Sequence, residues 1–175
     1  LGIPEVWSVK QFLGRKLSET KTHAVDSYLP FLRSHGVAAE AAEFGFGLSQ
    51  SQKAFQETFV TKEGIAPKDT VIGILPLAAW SLKNWPADQW NQLADTLQAR
   101  YQAKVIAFGK SDQLSNSRLV IEQLSSKIIS TIDQTSLPEA MSLLKRCNLF
   151  VGPDSSLLHL ASCMGVNVIG LYGPT

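Results

Sequence analysis

From residue 70 onward, short apolar runs alternate with longer stretches whose apolar residues recur at helical spacing. The strand-like runs lie at residues 71–75, 105–108, 128–132, 149–151 and 166–171. The helical patterns lie at residues 86–101, 112–125, 136–147 and 154–164. Strand and helix alternating in units of about thirty residues indicate βαβ units. The pattern therefore predicts an α/β fold, Rossmann-like, with a parallel sheet and helices on both faces.

The first forty residues follow a different pattern. One predicted helix covers residues 24–34 and is closed by Gly36, while Pro30 implies a kink in it or a later start. A further helix is predicted over residues 51–63, ended by Gly64. We therefore expect residues 1–40 to form a helical arm and residues 41–175 to form the Rossmann-like domain.

Residues 1–22 combine apolar side chains such as Trp7 and Phe12 with four basic residues and two acidic ones. One interpretation is a surface arm whose apolar residues dock on another domain. The alternative is a peripheral contact with an anionic membrane or glycolipid surface.

Composition restricts the classes of function. The chain has 175 residues, 45% hydrophobic and 18% charged, as in a soluble globular domain. A formal net charge of +1 gives no reason to expect nucleic-acid binding. No apolar run reaches the roughly 18–20 residues of a transmembrane helix, so we expect none. Cys147 and Cys163 lie in apolar helical patterns, which predicts buried free thiols and a reducing, cytoplasmic environment.

Polar residues gather where the strand-like run 149–151 gives way to a helix. Asp154 is a candidate helix cap, Ser155 and Ser156 offer hydroxyl donors, and His159 shares a helical face with Ser155. The predicted apolar stripe of this helix is Leu157, Leu160, Ala161 and Met164. A helix start at the carboxyl end of a parallel strand is typical of a phosphate-binding site.

Two more loops follow strand ends and share that edge of the sheet. Lys83, between Trp80 and Trp85, can pair with a diphosphate, and either Trp can stack on a base or sugar. Ser111 can bind ribose or phosphate, although a plain turn explains it equally well. Taken singly, Lys83 also fits a solvated lysine, Asp154 a simple cap and His159 a core histidine. The candidate binding residues are Trp80, Ser81, Lys83, Ser111, Asp154, Ser155, Ser156 and His159.

The segment VGPDSSLLHLASCMGVNVIGLYGPT resembles the terminal motif of glycosyltransferase family nine, the ADP-heptose:lipopolysaccharide heptosyltransferases. The loop Trp80-Ser81-Leu82-Lys83-Asn84-Trp85-Pro86 is similar to the W-x-x-K-x-W-P loop of that family. Residues 135–139, TSLPE, are similar to its T-S-L-x-E helix start, and residues 25–29 to its interdomain region.

The resemblance implies the C-terminal, donor-binding half of a GT-B glycosyltransferase, with the N-terminal acceptor domain absent from this chain. The family transfers heptose from ADP-heptose to the lipopolysaccharide inner core, with inversion and without a metal or other cofactor. Lys83 would then stabilise the charge of the diphosphate, while the general base belongs to the N-terminal domain. We accordingly expect this chain alone to bind ADP weakly and to transfer nothing. We expect the whole enzyme to be cytoplasmic, with any membrane association peripheral, at the cytoplasmic face of the inner membrane.

Three positions depart from the family pattern: Ser156 and Leu77 replace glycines, and Asn167 replaces a common proline. If position 156 needs a left-handed backbone, serine costs about 1 kcal/mol there. Two alternatives remain open: another GT-B nucleotide-sugar enzyme, such as a UDP-sugar transferase or an epimerase, and a non-catalytic nucleotide-binding module.

Overall fold

The computed structural model describes residues 24–38, 45–77, 81–111 and 117–173. The chain divides into two compact units between Phe44 and Gly45. In the first unit, helix α1 (Ala24–Ser34) is followed by Gly36 with a φ of +77°, as the sequence predicts. The helix begins at Ala24, so Pro30 lies inside it and the alternative of a later start is wrong.

The second unit is a five-stranded parallel sheet with its helices. The strands are β1 (Val71–Ile74), β2 (Lys104–Ala107), β3 (Ile129–Ser130), β4 (Leu149–Pro153) and β5 (Asn167–Leu171). The helices are α2 (Gln50–Lys62), α3 (Ala87–Tyr101), α4 (Ser117–Gln123), α5 (Leu137–Arg146) and α6 (Ser156–Cys163). The strand order is β3-β2-β1-β4-β5, so β1 lies between β2 and β4. The predicted parallel α/β sheet is confirmed.

Side chains alternate along the strands and build a core on each face of the sheet. On β1, Ile72 and Ile74 belong to the core under α3 and α4, which also contains the fully buried Trp90. The opposite core lies under α2, α5 and α6 and includes Phe108, Phe150, Leu143, Leu158 and Met164. Helices therefore cover both faces of the sheet, as expected for a doubly wound fold.

The apolar stripe of α6 differs from the predicted one. The buried residues are Leu158, Ala161 and Met164, whereas Leu157 and Leu160 are only half-buried. Both sets fit a helical period, and the packing of α6 against β4 and β5 selects the first. Leu157 and Leu160 are consequently turned away from the centre of the core.

The two thiols also differ from each other. Cys147 is buried as predicted, and burial raises the pKa of its thiol to about 12. Cys163 is free but partly exposed, so the prediction that it is buried is wrong. Among the described residues, no helix is both long and apolar enough to cross a bilayer.

Side chains fix the start of α5, which reaches the carboxyl edge of the sheet. Ser136 and Glu139 form the predicted capping box, with the Ser136 amide donating to Glu139 Oε2 at 2.7 Å. Helix α2 is bound to α5, because Gln52 donates to the carbonyl of Pro138 at 2.8 Å and Gln56 donates to that of Ser142. The start of α5 is therefore held from two sides.

We predict that Gly73→Ala destabilises the sheet. A Cβ at this position would lie 2.6 Å from Phe150 Cδ2 and 3.1 Å from Phe108 Cε2, so two core rings would have to move. The expected cost is about 1–3 kcal/mol in urea unfolding. Gly47→Ala is the matched control, since its Cβ would meet nothing within 4 Å. Equal stability of the two variants would contradict the packing described here.

Candidate functional site

A cavity of about 600 Å³ opens at the carboxyl edge of the sheet. It lies where the loops after β1, β2 and β4 meet the starts of α5 and α6. Its polar lining consists of Lys83, Lys110, Thr135, Ser136, Asp154, Ser155 and Ser156. Its apolar lining includes Leu75, Leu77, Phe108, Leu137, Ala140, Leu157 and Leu160. The half-buried leucines of α6 are thus part of the cavity wall, beside a polar end.

Helix α6 is capped by Ser155 and not, as predicted, by Asp154. Ser155 has extended backbone angles, and its hydroxyl accepts a hydrogen bond from the Leu158 amide at 3.2 Å. Serine and aspartate are equally good caps, so the backbone conformation at the end of β4 decides between them. The amides of Ser156 and Leu157 take no part in this cap, and both residues line the cavity.

Because Asp154 does not cap the helix, its carboxylate binds two other side chains. Lys83 Nζ donates to Asp154 Oδ2 at 3.0 Å, and His159 Nε2 lies 3.1 Å from Asp154 Oδ1. The bond from Lys83, followed by that from His159, holds the pKa of the Asp154 carboxyl below its ordinary value. Three candidate residues, from the loop after β1, the end of β4 and helix α6, therefore form one hydrogen-bonded cluster, which we call the Asp154 cluster.

The members of this cluster differ in exposure. The Lys83 side chain is 20% exposed, that of Asp154 is 41% exposed and that of His159 is 67% exposed. Lys83 is therefore not a freely solvated lysine, and His159 is not a core histidine. The Lys83 ammonium lies at the cavity, whereas His159 is not among the lining residues.

The other candidate residues of the loop after β1 are Trp80, Ser81 and Trp85. Ser81 is the first residue of a short 3-10 helix, Ser81–Lys83. Trp85 packs edge-on against the buried Trp90, with ring centroids 5.3 Å apart, and does not line the cavity. Trp80 lies outside the described residues, so its stacking on a base or sugar stays a prediction.

Ser111 holds the loop after β2 in place. Its amide donates to Asp133 Oδ1 at 2.9 Å, and the hydrogen bond from its hydroxyl is the main reason that the pKa of Asp133 is lowered. Ser111 does not line the cavity, whereas its neighbour Lys110 does. Lys110 is the functional candidate that the sequence did not reveal, because a loop lysine resembles a solvated one until the sheet order is known.

The two residues that replace family glycines, Leu77 and Ser156, do not strain the backbone. Among the described residues other than glycine, only Gln102 and Asp133 have positive φ. Ser156 and Leu77 therefore adopt ordinary conformations, and the strain considered for serine at 156 is absent. Leu77 is buried and lies against the loop glycine Gly109, where it forms part of the cavity wall.

The arrangement is suited to a ligand that carries negative charge. The starts of α5 and α6 open on a cavity that also contains two lysines, and the first turn of α6 carries no acidic residue. The apolar wall beside them can cover a flat or hydrophobic part of the same ligand. Within the described ranges, no group of three or more His, Cys, Asp or Glu residues is arranged to hold a metal ion.

The fold and the cavity define a Rossmann-like domain with a lysine-containing cavity at the carboxyl edge of its sheet. Residues 9–175 match the family model described as "Glycosyltransferase family 9 (heptosyltransferase)". The chain belongs to this family, which confirms the resemblance carried by its terminal motif. It is 27% identical over 156 residues to lipopolysaccharide heptosyltransferase 3 of Escherichia coli K12, covering 88% of this chain and 45% of that protein.

Solved structures agree with the fold. The glycosyl transferase family 9 protein of Veillonella parvula is 27% identical with a TM-score of 0.77, covering 89% of this chain and 45% of that one. E. coli heptosyltransferase WaaC with ADP-2-deoxy-2-fluoro heptose is 20% identical with a TM-score of 0.60, covering 89% and 47%, and so shares the fold. The chain spans about half the length of these relatives. The fold class is that of the GT-B heptosyltransferases, as predicted.

We predict that Ser155→Ala destabilises the domain by about 1 kcal/mol, because it removes the cap of α6. The neighbouring Ser156→Ala is the control, since Ser156 is exposed and is not the cap. Its expected effect is within about 0.5 kcal/mol. Urea unfolding of the two variants measures the difference. A larger loss of stability in Ser156→Ala would show that Ser155 is not the cap of α6.

We predict that the stabilising effect of Asp154 depends on pH. Its pKa is lower in the folded protein than its ordinary value of 3.8, so the ionised form favours folding. The contribution is fully present above the ordinary value and is lost as pH falls through the lower, folded pKa. The unfolding midpoint of the wild type should exceed that of Asp154→Asn at neutral pH.

This difference between wild type and Asp154→Asn should disappear in strong acid, below the folded pKa, where both side chains are neutral. Thermal unfolding followed by circular dichroism across the acidic range measures it. A difference that stayed constant through the acidic range would mean that the Asp154 cluster does not act through the charge of Asp154.

Proposed function

We propose that this chain binds the nucleotide-sugar donor of a heptosyltransferase, and that the whole protein transfers heptose from ADP-heptose to the lipopolysaccharide core. Family membership supports a glycosyltransferase, and the curated relative is named as a lipopolysaccharide heptosyltransferase. A protein of the same fold has been solved with an ADP-heptose analogue. The donor accepted by this chain is inferred from those relatives.

The observation that carries the proposal is the cation at the helix start. Lys83 reaches the cavity from the β1 loop and lies 3.0 Å from Asp154, next to the capped start of α6. An ammonium and free helix amides in one place are the donors that a diphosphate requires. The neighbouring apolar wall, which includes Phe108 and Leu157, has room for a base.

These groups also suit the chemistry of transfer. When the bond between sugar and phosphate breaks, the departing ADP gains negative charge, and fixed donors stabilise that charge most in the transition state. Lys83 is the catalytic residue we assign in this chain, through charge stabilisation. We further propose that transfer inverts the sugar, needs no metal, and uses a general base from the acceptor domain.

The acceptor and its location belong to the same proposal. A lipopolysaccharide core or other glycolipid acceptor would be met at the cytoplasmic face of the inner membrane, which the enzyme would touch peripherally. The basic arm of residues 1–22, on which the notion of a membrane contact rests, lies outside the described residues.

We predict that the chain binds ADP in preference to UDP, and that Lys83→Ala weakens ADP binding about tenfold. Affinity for ADP falls for two reasons. The variant removes an ammonium that would bind the phosphates, and it leaves the Asp154 carboxylate facing them. Isothermal titration calorimetry measures both comparisons. Lys68→Ala is the matched control, an exposed lysine before β1 at the opposite edge of the sheet.

Equal affinity for ADP and UDP would favour another nucleotide-sugar enzyme over a heptosyltransferase. If Lys83→Ala and Lys68→Ala bound ADP as the wild type does, the proposed phosphate site would be wrong. Binding of no nucleotide by the wild-type chain would instead favour a module that has kept only the scaffold.

A further inference from the structure

His159 and Lys83 share one carboxylate. Lys83 Nζ donates to Asp154 Oδ2 at 3.0 Å, and His159 Nε2 lies 3.1 Å from Asp154 Oδ1. Each of the two side chains has its own oxygen of Asp154, so what they share is the negative charge of the carboxylate and not an acceptor atom. The bond from Lys83 contributes more than that from His159 to the lowered pKa of the Asp154 carboxyl.

The two partners of Asp154 have different surroundings. Lys83 lines the cavity and its side chain is 20% exposed, whereas His159 does not line the cavity and is 67% exposed. A ligand in the cavity therefore meets Lys83 and Asp154, and an effect of His159 on that ligand passes through Asp154. The first turn of α6 fixes the position of His159, because its amide donates to the carbonyl of the capping residue Ser155 at 3.2 Å.

Protonation changes what His159 offers to the carboxylate. A neutral imidazole donates from Nε2 in only one of its two tautomers, whereas an imidazolium always donates there and carries a positive charge. Histidine is the side chain whose ordinary change of charge falls between about pH 5 and 8. A protonated His159 would balance the charge of Asp154 by itself, and Asp154 would then hold Lys83 less strongly.

The surroundings of α6 contain few ionisable groups besides the Asp154 cluster. Strands β4 and β5 pack against α6 and contain no ionisable side chain. Helix α5 contains three, and each has another partner: Glu139 in the capping box, Lys145 at the carbonyl of Met164 and Arg146 at that of Ala66. Cys163 lies at the far end of α6, and the exposed Tyr172 follows β5. Within the described parts of the chain, His159 therefore faces Asp154 and, through it, Lys83.

We propose that His159 is a positioning residue for the donor: once protonated, it balances Asp154, and Lys83 turns from the carboxylate to the phosphates. This inference rests on the proposed function, since it takes the diphosphate to lie at Lys83 and the start of α6. Binding of the nucleotide and binding of a proton by His159 are then coupled, so each strengthens the other. The affinity for the nucleotide should rise as pH falls through the range in which His159 gains its proton.

The experiment compares the wild type with His159→Gln at about pH 8 and about pH 5.5. Glutamine keeps a polar side chain and cannot take up a proton. ADP itself gains a proton in this range, so each affinity is read relative to that of His159→Gln at the same pH. By isothermal titration calorimetry, the two affinities should agree within about twofold at the higher pH. At the lower pH the wild type should bind ADP about threefold more tightly.

The same comparison in an Asp154→Asn background separates action through the carboxylate from direct action on the ligand. There the ratio of affinities should stay within about twofold at both pH values. His35→Gln, which removes a histidine outside the Asp154 cluster, should follow the wild type. A ratio that rose equally without the carboxylate would overturn the inference, because His159 would then act on the phosphates by itself. A ratio independent of pH in both backgrounds would overturn it as well.

A measurement without nucleotide tests the shared carboxylate. Nuclear magnetic resonance follows the titration of the His159 imidazole in the wild type, in Lys83→Met and in Asp154→Asn. Loss of the Lys83 ammonium should move the midpoint upward by about half a pH unit, because His159 alone then balances Asp154. Asp154→Asn should move the midpoint downward. Unchanged midpoints in both variants would show that the three side chains do not share a charge, and would overturn the inference.

The two proposals fail in distinguishable ways. If Lys83→Ala weakens ADP binding while the ratio of wild type to His159→Gln does not depend on pH, only the role of His159 is wrong. If the wild-type chain binds no ADP at either pH, the proposed function is wrong and the role of His159 falls with it.

Discussion

The contact on which the site depends is the Asp154 carboxylate between Lys83 and His159, at 3.0 and 3.1 Å. A carboxylate at the edge of the cavity would repel the phosphates of the proposed donor if it stood alone. Here it orients the ammonium of Lys83 towards the cavity and is itself balanced by two partners. The arrangement requires that another residue cap α6, and Ser155 does so. Because the Ser155 hydroxyl caps the helix, the Asp154 carboxylate can bind Lys83 and His159 instead.

The sheet order brings these residues together across 71 positions of sequence. Strands β1 and β4 are parallel neighbours, so their carboxyl ends and the loops after them lie side by side. Gly152, near the end of β4, permits this close approach. A Cβ there would lie 2.9 Å from Leu75 Cβ, at the point where β1 leads into its loop. The Asp154 cluster therefore depends on backbone packing as well as on its side chains.

Much of this could be predicted from the sequence, because the signals were local. Apolar periodicity located the strands and helices, and S-x-x-E located the capping box of Ser136 and Glu139. Three features could not be predicted, since each depends on tertiary contacts. Asp154 and Ser155 are equally good caps by residue type, two apolar stripes fit α6, and Lys110 resembles a surface lysine until β2 is placed beside β1.

The weakness of the Asp154–Lys83 pair suits a binding site. Exposed or half-exposed ion pairs contribute little to stability, because water solvates both charges when they separate. The Lys83 and Asp154 side chains are 20% and 41% exposed, so this pair is held less firmly than a deeply buried pair would be. If Lys83 also binds a phosphate, His159 still lies within hydrogen-bond distance of Asp154. An acidic residue next to the proposed phosphate site is therefore compatible with phosphate binding, because Asp154 is paired with Lys83 and His159 and does not face the ligand alone.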